Sequence, residues 1–106
     1  MIFFLGESDV MDFVEIRFDG EIPVDRDDVE DAVNEALSGV GEVTGAGVGQ
    51  YGSHLDVEVD ESAPREQVLA GVMSALVDLG LRDLSRVRPG DGDEWIRPGE
   101  WQRETE

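Results

Sequence analysis

The sequence predicts an α+β domain: two amphipathic helices packed on one face of an antiparallel sheet. Three observations predict it. Residues 13–18 and 55–59 alternate apolar and polar side chains, the period of half-buried strands. Two stretches, Val29 to Leu37 and Val68 to Leu79, place apolar residues at helical spacing. These segments alternate as β-α-β-β-α-β along 106 residues, a length that suits one small domain.

The first strand comes from Phe13-Val-Glu-Ile-Arg-Phe18. Val14, Ile16 and Phe18 take one side, and Phe13, Glu15 and Arg17 the other. Asp19-Gly20 ends it. Asp25 stands at the N-cap of the first helix, whose core face is Val29, Ala32, Val33, Ala36 and Leu37. Asp27, Asp28, Glu30 and Asp31 fall in its first turns, where the helix dipole favours anions. Gly39 supplies the stop. Val43–Gly49 is a second strand rich in glycine. His54–Asp60 is the third, with Leu55, Val57 and Val59 inward and His54, Asp56, Glu58 and Asp60 outward. Ser62 is placed to cap the second helix, with Pro64 in its first turn. Leu69, Val72, Met73 and Leu76 form its stripe and Gly80 closes it. A short fourth strand spans Ser85–Arg88.

This order predicts a ferredoxin-like, split βαβ two-layer sandwich with one sheet face open to solvent. The whole chain, 1–106, reads as a single domain with its core over about 12–88. Residues 1–11 leave two readings open, an added edge strand or a partly disordered extension. Residues 89–106 form an irregular tail of proline, glycine and tryptophan, in which Arg88-Pro-Gly with Glu94-Trp95 is echoed by Arg97-Pro-Gly with Glu100-Trp101. Two readings also stand for Trp95 and Trp101: they pin the tail to the body, or they anchor a partner.

Charge narrows function. Asp plus Glu number 26 against 8 basic residues, a net charge of -18, and all the basic residues are arginine. Such a field repels nucleic acid and anionic membrane and attracts basic proteins. Cysteine is absent, which excludes disulfides and thiolate metal sites. No apolar run approaches the ~20 residues of a membrane span, and Met1–Leu5 is too short for a signal-peptide core. The expected location is the cytoplasm.

The glycine-rich Gly45-Ala-Gly-Val-Gly-Gln-Tyr-Gly52 does not fit a phosphate loop. It lacks the lysine of a P-loop, and a strand follows it where a helix would be needed. It fits a hairpin turning at Gly49–Gly52. Gly45 and Gly47 share one face and leave a shallow groove there, which either a neighbouring aromatic fills, Phe13 being the candidate, or another chain approaches closely. His54, beside Asp56 and Glu58, lacks a nucleophile or a second imidazole, so neither catalysis nor zinc is expected. Asp91-Gly-Asp93-Glu94 lacks the spacing of an EF-hand loop. No catalytic residue, metal ligand or cofactor is assigned, and an enzyme is not expected.

An acidic open face does accumulate. Glu15, Asp56, Glu58 and Asp60 share the uncovered side of the expected sheet. With Trp95 and Trp101 they are the candidate partner-binding residues. Gly41-Glu-Val-Thr-Gly-Ala-Gly47, Gly52-Ser53 and Leu55-Asp-Val-Glu-Val59, followed by a helix ending at Leu79-Gly-Leu81, resemble small acidic bacterial immunity proteins of polymorphic and contact-dependent toxin systems. The resemblance covers residues 12–88. It implies a ferredoxin-like binding module that neutralises a basic, nucleic-acid-targeting toxin. Two other expectations stand beside it. One is a salt-adapted regulatory or assembly domain whose acidity is solvation only and which dimerises by pairing sheet faces or edges; for the chain in general, monomer and homodimer both stand open. The other is a metal- or ligand-binding domain using His54 and nearby carboxylates.

Overall fold

The structure, a computed structural model, describes residues 12–49, 52–60, 62–90, 92 and 94–101. Its elements run β1 (Phe13–Asp19), α1 (Arg26–Leu37), β2 (Gly41–Gly49), β3 (Gly52–Val59), α2 (Arg65–Asp78) and β4 (Ser85–Pro89), followed by a 3-10 turn at Pro98–Glu100. The four strands make one antiparallel sheet in the order β2-β3-β1-β4. Each helix therefore links two parallel strands with one strand between them.

Both helices lie on the same face. Val14, Ile16 and Phe18 of β1, Leu55, Val57 and Val59 of β3 and Val87 of β4 join Val29, Val33 and Leu37 of α1 and Val68, Leu69, Val72, Met73 and Leu76 of α2 in one buried cluster. Each fully buried aliphatic or phenylalanine side chain contributes roughly 1.5–3 kcal/mol over leaving it in water. The helices touch closely where Gly71 meets Ala36: a Cβ at position 71 would stand 3.1 Å from the Ala36 carbonyl oxygen. Ser85, fully buried, donates its hydroxyl to the Leu81 carbonyl at 2.7 Å, so its burial is satisfied.

Helix ends follow the sequence with one correction. Asp25 is the N-cap of α1, although its side chain makes no capping bond. Ser38 and Gly39 end that helix at φ 51° and 89°. α2 closes on Gly80 at φ 81°, with Leu81 N–H donating to the Leu76 carbonyl and Gly80 N–H to the Val77 carbonyl, the pair of hydrogen bonds that marks a glycine C-cap. Its N-cap, however, is Pro64 and not Ser62. Asp60 captures Ser62 instead, accepting from its amide at 3.1 Å and its hydroxyl at 3.0 Å. A local side-chain turn has outcompeted the cap.

Both sheet edges are occupied. On β2, Val43 N–H donates to Asn34 Oδ1 at 2.8 Å, and Arg26 of α1 donates to the Gly47 carbonyl at 3.2 Å. On β4, Val87 exchanges two backbone bonds of 2.8 Å with Ile96 of the tail. The expected added strand at 1–11 and the central turn residues Gln50 and Tyr51 lie outside the described residues. Among the described residues no helix is long and apolar enough to cross a membrane.

Candidate interaction face of the sheet

The sheet face away from the helices is a grid set by strand register. Its first row reads Glu42, Glu58, Phe13 and Gly90 across β2, β3, β1 and the end of β4. Its second reads Gly45, Asp56, Glu15 and Arg88. Its third reads Gly47, His54, Arg17 and Arg86. The grid is polarised: the three guanidinium groups of these rows stand on β1 and β4, whereas β2 and β3 carry glycine, His54 and carboxylates, with Asp56 of β3 directly beside Glu15 of β1.

On the arginine side the charges are paired. Arg88 donates to Glu15 at 2.9 Å, Arg86 to Asp19 at 2.8 Å and Arg97 to Asp19 at 3.1 Å. The hydrogen bond from Arg86 holds the Asp19 carboxyl below its ordinary value, partial desolvation opposes this, and Arg97 adds to the lowering. Trp95 lies over this cluster, its ring centroid 4.7 Å from the Arg17 guanidinium carbon and 5.7 Å from that of Arg88. Arg86 Nε is buried here without an acceptor among the described residues, a cost of gathering guanidinium groups so closely.

On the glycine side the register brings like charges together. Glu42 and Glu58 are direct cross-strand neighbours, both exposed, an arrangement that opposes the sheet. With Asp12 and Asp60 they line a shallow recess of about 530 Å³ over the Gly39–Gly41 backbone. Among the described residues no three His, Cys, Asp or Glu converge on a metal position.

Phe13 does not fill the glycine groove. Its ring turns the other way, toward Gly90, where a Cβ would come within 2.7 Å of it. The groove is roofed by β3's own side chains: a Cβ at Gly47 would stand 2.6 Å from His54 Cε1, and one at Gly45 would stand 3.2 Å from Asp56 Oδ2. His54 and Asp56 thus lie flat over the glycines, 3.9 Å apart. The cross-strand neighbour won over the more distant aromatic ring because it shares the register row.

The candidate residues are therefore dispersed. Asp56 and Glu58 stand together, exposed, on β3. Asp60 lies just past the strand, at the recess. Glu15 belongs to the arginine side. Trp95 is half-buried on that same side, and Trp101 packs against the core cluster beneath the tail. Asp91 and Asp93 lie outside the described residues. The grouping of Arg17, Arg86, Arg88 and Arg97 was missed from sequence. The signal that carried it was parity: positions 86 and 88 alternate with the inward Ser85 and Val87. Comparison with protein-family models, with curated proteins and with solved structures finds no match to this chain.

Proposed function

We propose that the chain is a protein-binding module of ferredoxin-like plan that docks a basic protein, as an immunity or inhibitor protein docks a cationic toxin. The β-α-β-β-α-β order with strands arranged β2-β3-β1-β4 supports the plan. One observation carries the function. Glu42, Asp56 and Glu58 crowd one half of an open sheet face, while Arg86, Arg88 and Arg97 on the other half hold Asp19 and Glu15. Carboxylates held side by side by strand register are pre-organised for an incoming guanidinium or ammonium, which relieves their mutual repulsion. No catalytic step is part of this reading.

The test is co-expression with the product of the adjacent gene. The expected outcome is a complex that suppresses that product's toxicity and is lost in the double variant D56R/E58R. An adjacent product that neither binds nor is toxic sinks the reading.

A second reading has its own support. Asp27, Asp28, Asp31 and Glu35 are exposed on the outer face of α1, far from the sheet's open side. Acidity spread over the surface suits a salt-adapted domain in which carboxylates serve solvation. A fold lost in dilute buffer and restored by molar salt supports this reading, because screening relieves self-repulsion.

A further inference from the structure

We propose that the open sheet face is self-complementary and that, without a basic partner, it pairs with the same face of a second copy of this chain. This goes beyond the binding reading above and concerns another occupant of the same face.

The strand order sets the geometry. A two-fold axis running along the strands, between β3 and β1, lays β3 on the partner's β1 and β2 on the partner's β4. The glycine–carboxylate half of each copy then meets the arginine half of the other, twice, which is what an isologous interface requires. Row on row, Gly45 and Gly47 lie under the partner's Arg88 and Arg86, and Asp56 lies on Glu15, which Arg88 already holds, so the unlike charges meet on the diagonals between rows. Arg17 is 53% exposed, and its ion pair to Glu15 is a long 3.8 Å. Asp56 is 51% exposed, and its contact to His54 is 3.9 Å. Neither makes a close ion pair within its own chain. Across the axis they stand one register row apart, a diagonal that a long side chain such as arginine spans. Trp95, stacked on Arg17, is the raised feature of one half. The flat Gly45–Gly47 segment under His54 and Asp56 is the low feature of the other.

The remaining surfaces suit a second copy less well. Both sheet edges already have backbone partners or side-chain caps, from Arg26 and Asn34 on one side and from Ile96 on the other. The outer face of α1 is acidic and repels itself. Two chains of charge -18 also repel at long range. That repulsion is screened within about 8 Å at physiological ionic strength. The pairing therefore tightens as salt rises from low values, whereas docking of a basic partner weakens.

Sedimentation equilibrium of the full chain alone, up to about 500 μM, tests it, since mass action favours the dimer at high concentration. The expected result is a monomer–dimer equilibrium that Arg17→Glu and Asp56→Arg each weaken by about tenfold or more. Mixing these two variants restores the dimer. The two exchanged charges then meet at one of the symmetry-related contacts, and the native Asp56–Arg17 contact is kept at the other. Circular dichroism checks that each variant is folded. A wild type that stays monomeric, a dimer indifferent to both substitutions, or a mixture that does not recover overturns the inference. No partner protein enters this experiment, so its failure leaves the binding reading untouched, and failure of the co-expression test leaves the dimer untouched.

Discussion

The two halves of the open face share one sheet and one solvent, yet their charges behave oppositely. On β1 and β4 each carboxylate meets a guanidinium: Glu15 has Arg88, and Asp19 has Arg86 and Arg97. On β2 and β3 the carboxylates have glycine, Phe13 or another carboxylate as cross-strand neighbours. The chain has 26 acidic residues and only 8 arginines. Where acidic side chains are everywhere, the placement of the few cations decides the local field. Four of those arginines, 17, 86, 88 and 97, gather at one end of one face, and the register rows of the other half carry none.

The largest effect is expected at the seam between the halves, where β3 meets β1. Gly52 opens β3 at φ 137°, and a Cβ there would run into the Phe18 carbonyl oxygen. Gly52→Ala is expected to cost about 3 kcal/mol, combining backbone strain with the clash. Thermal unfolding measures it, and an unchanged midpoint refutes the close approach.

Next in size is the arginine half itself. Asp19→Asn removes the charge that two guanidinium groups share and is expected to cost about 1 kcal/mol near neutral pH. Its pH dependence has a definite sign. The folded-state carboxyl titrates below its ordinary 3.8. The stability difference between wild type and variant is therefore fully present above that value and disappears as pH falls through the lower, folded one. Urea titrations of both proteins across this range check it, and a difference that persists in strong acid refutes it.

Trp95→Ala tests whether the stack over Arg17 and Arg88 matters to the fold. The expected loss is about 0.5–1 kcal/mol, with the core intact. The smallest effect belongs to the glycine half. Gly47→Ala must push the half-exposed His54 ring aside, yet it gains strand propensity, so stability is expected to change by only about 0.5 kcal/mol. The His54 ring resonances shift nonetheless. If they do not move, the ring does not lie over Gly47.

The elements were legible because their signals are local. Alternation in 13–18 and 55–59 marked β1 and β3, and the stripe from Val29 to Leu37 marked α1. The polarised face was not legible, since its bonds join distant residues. Arg86 lies 67 positions from Asp19, Arg88 lies 73 from Glu15, and Arg97 lies 78 from Asp19. Parity assigned each side chain to a face, but only strand order placed Glu15 among arginines and Asp56 among glycines. Phe13 was misassigned for the same reason. Its neighbour is Gly90, across a pairing that no local pattern announces.

The two tryptophans of the chain stand at 95 and 101, both in the tail and neither in the central cluster of the domain. Their emission is thus weighted toward the contact of the tail with the body. It reports release of the segment that holds Ile96 against β4, while the far-ultraviolet signal follows helices and strands. Heating the protein under both detectors separates detachment of the strap from loss of the body. Two midpoints would show the stretch from Trp95 to Trp101 acting as a clasp that opens before the domain does.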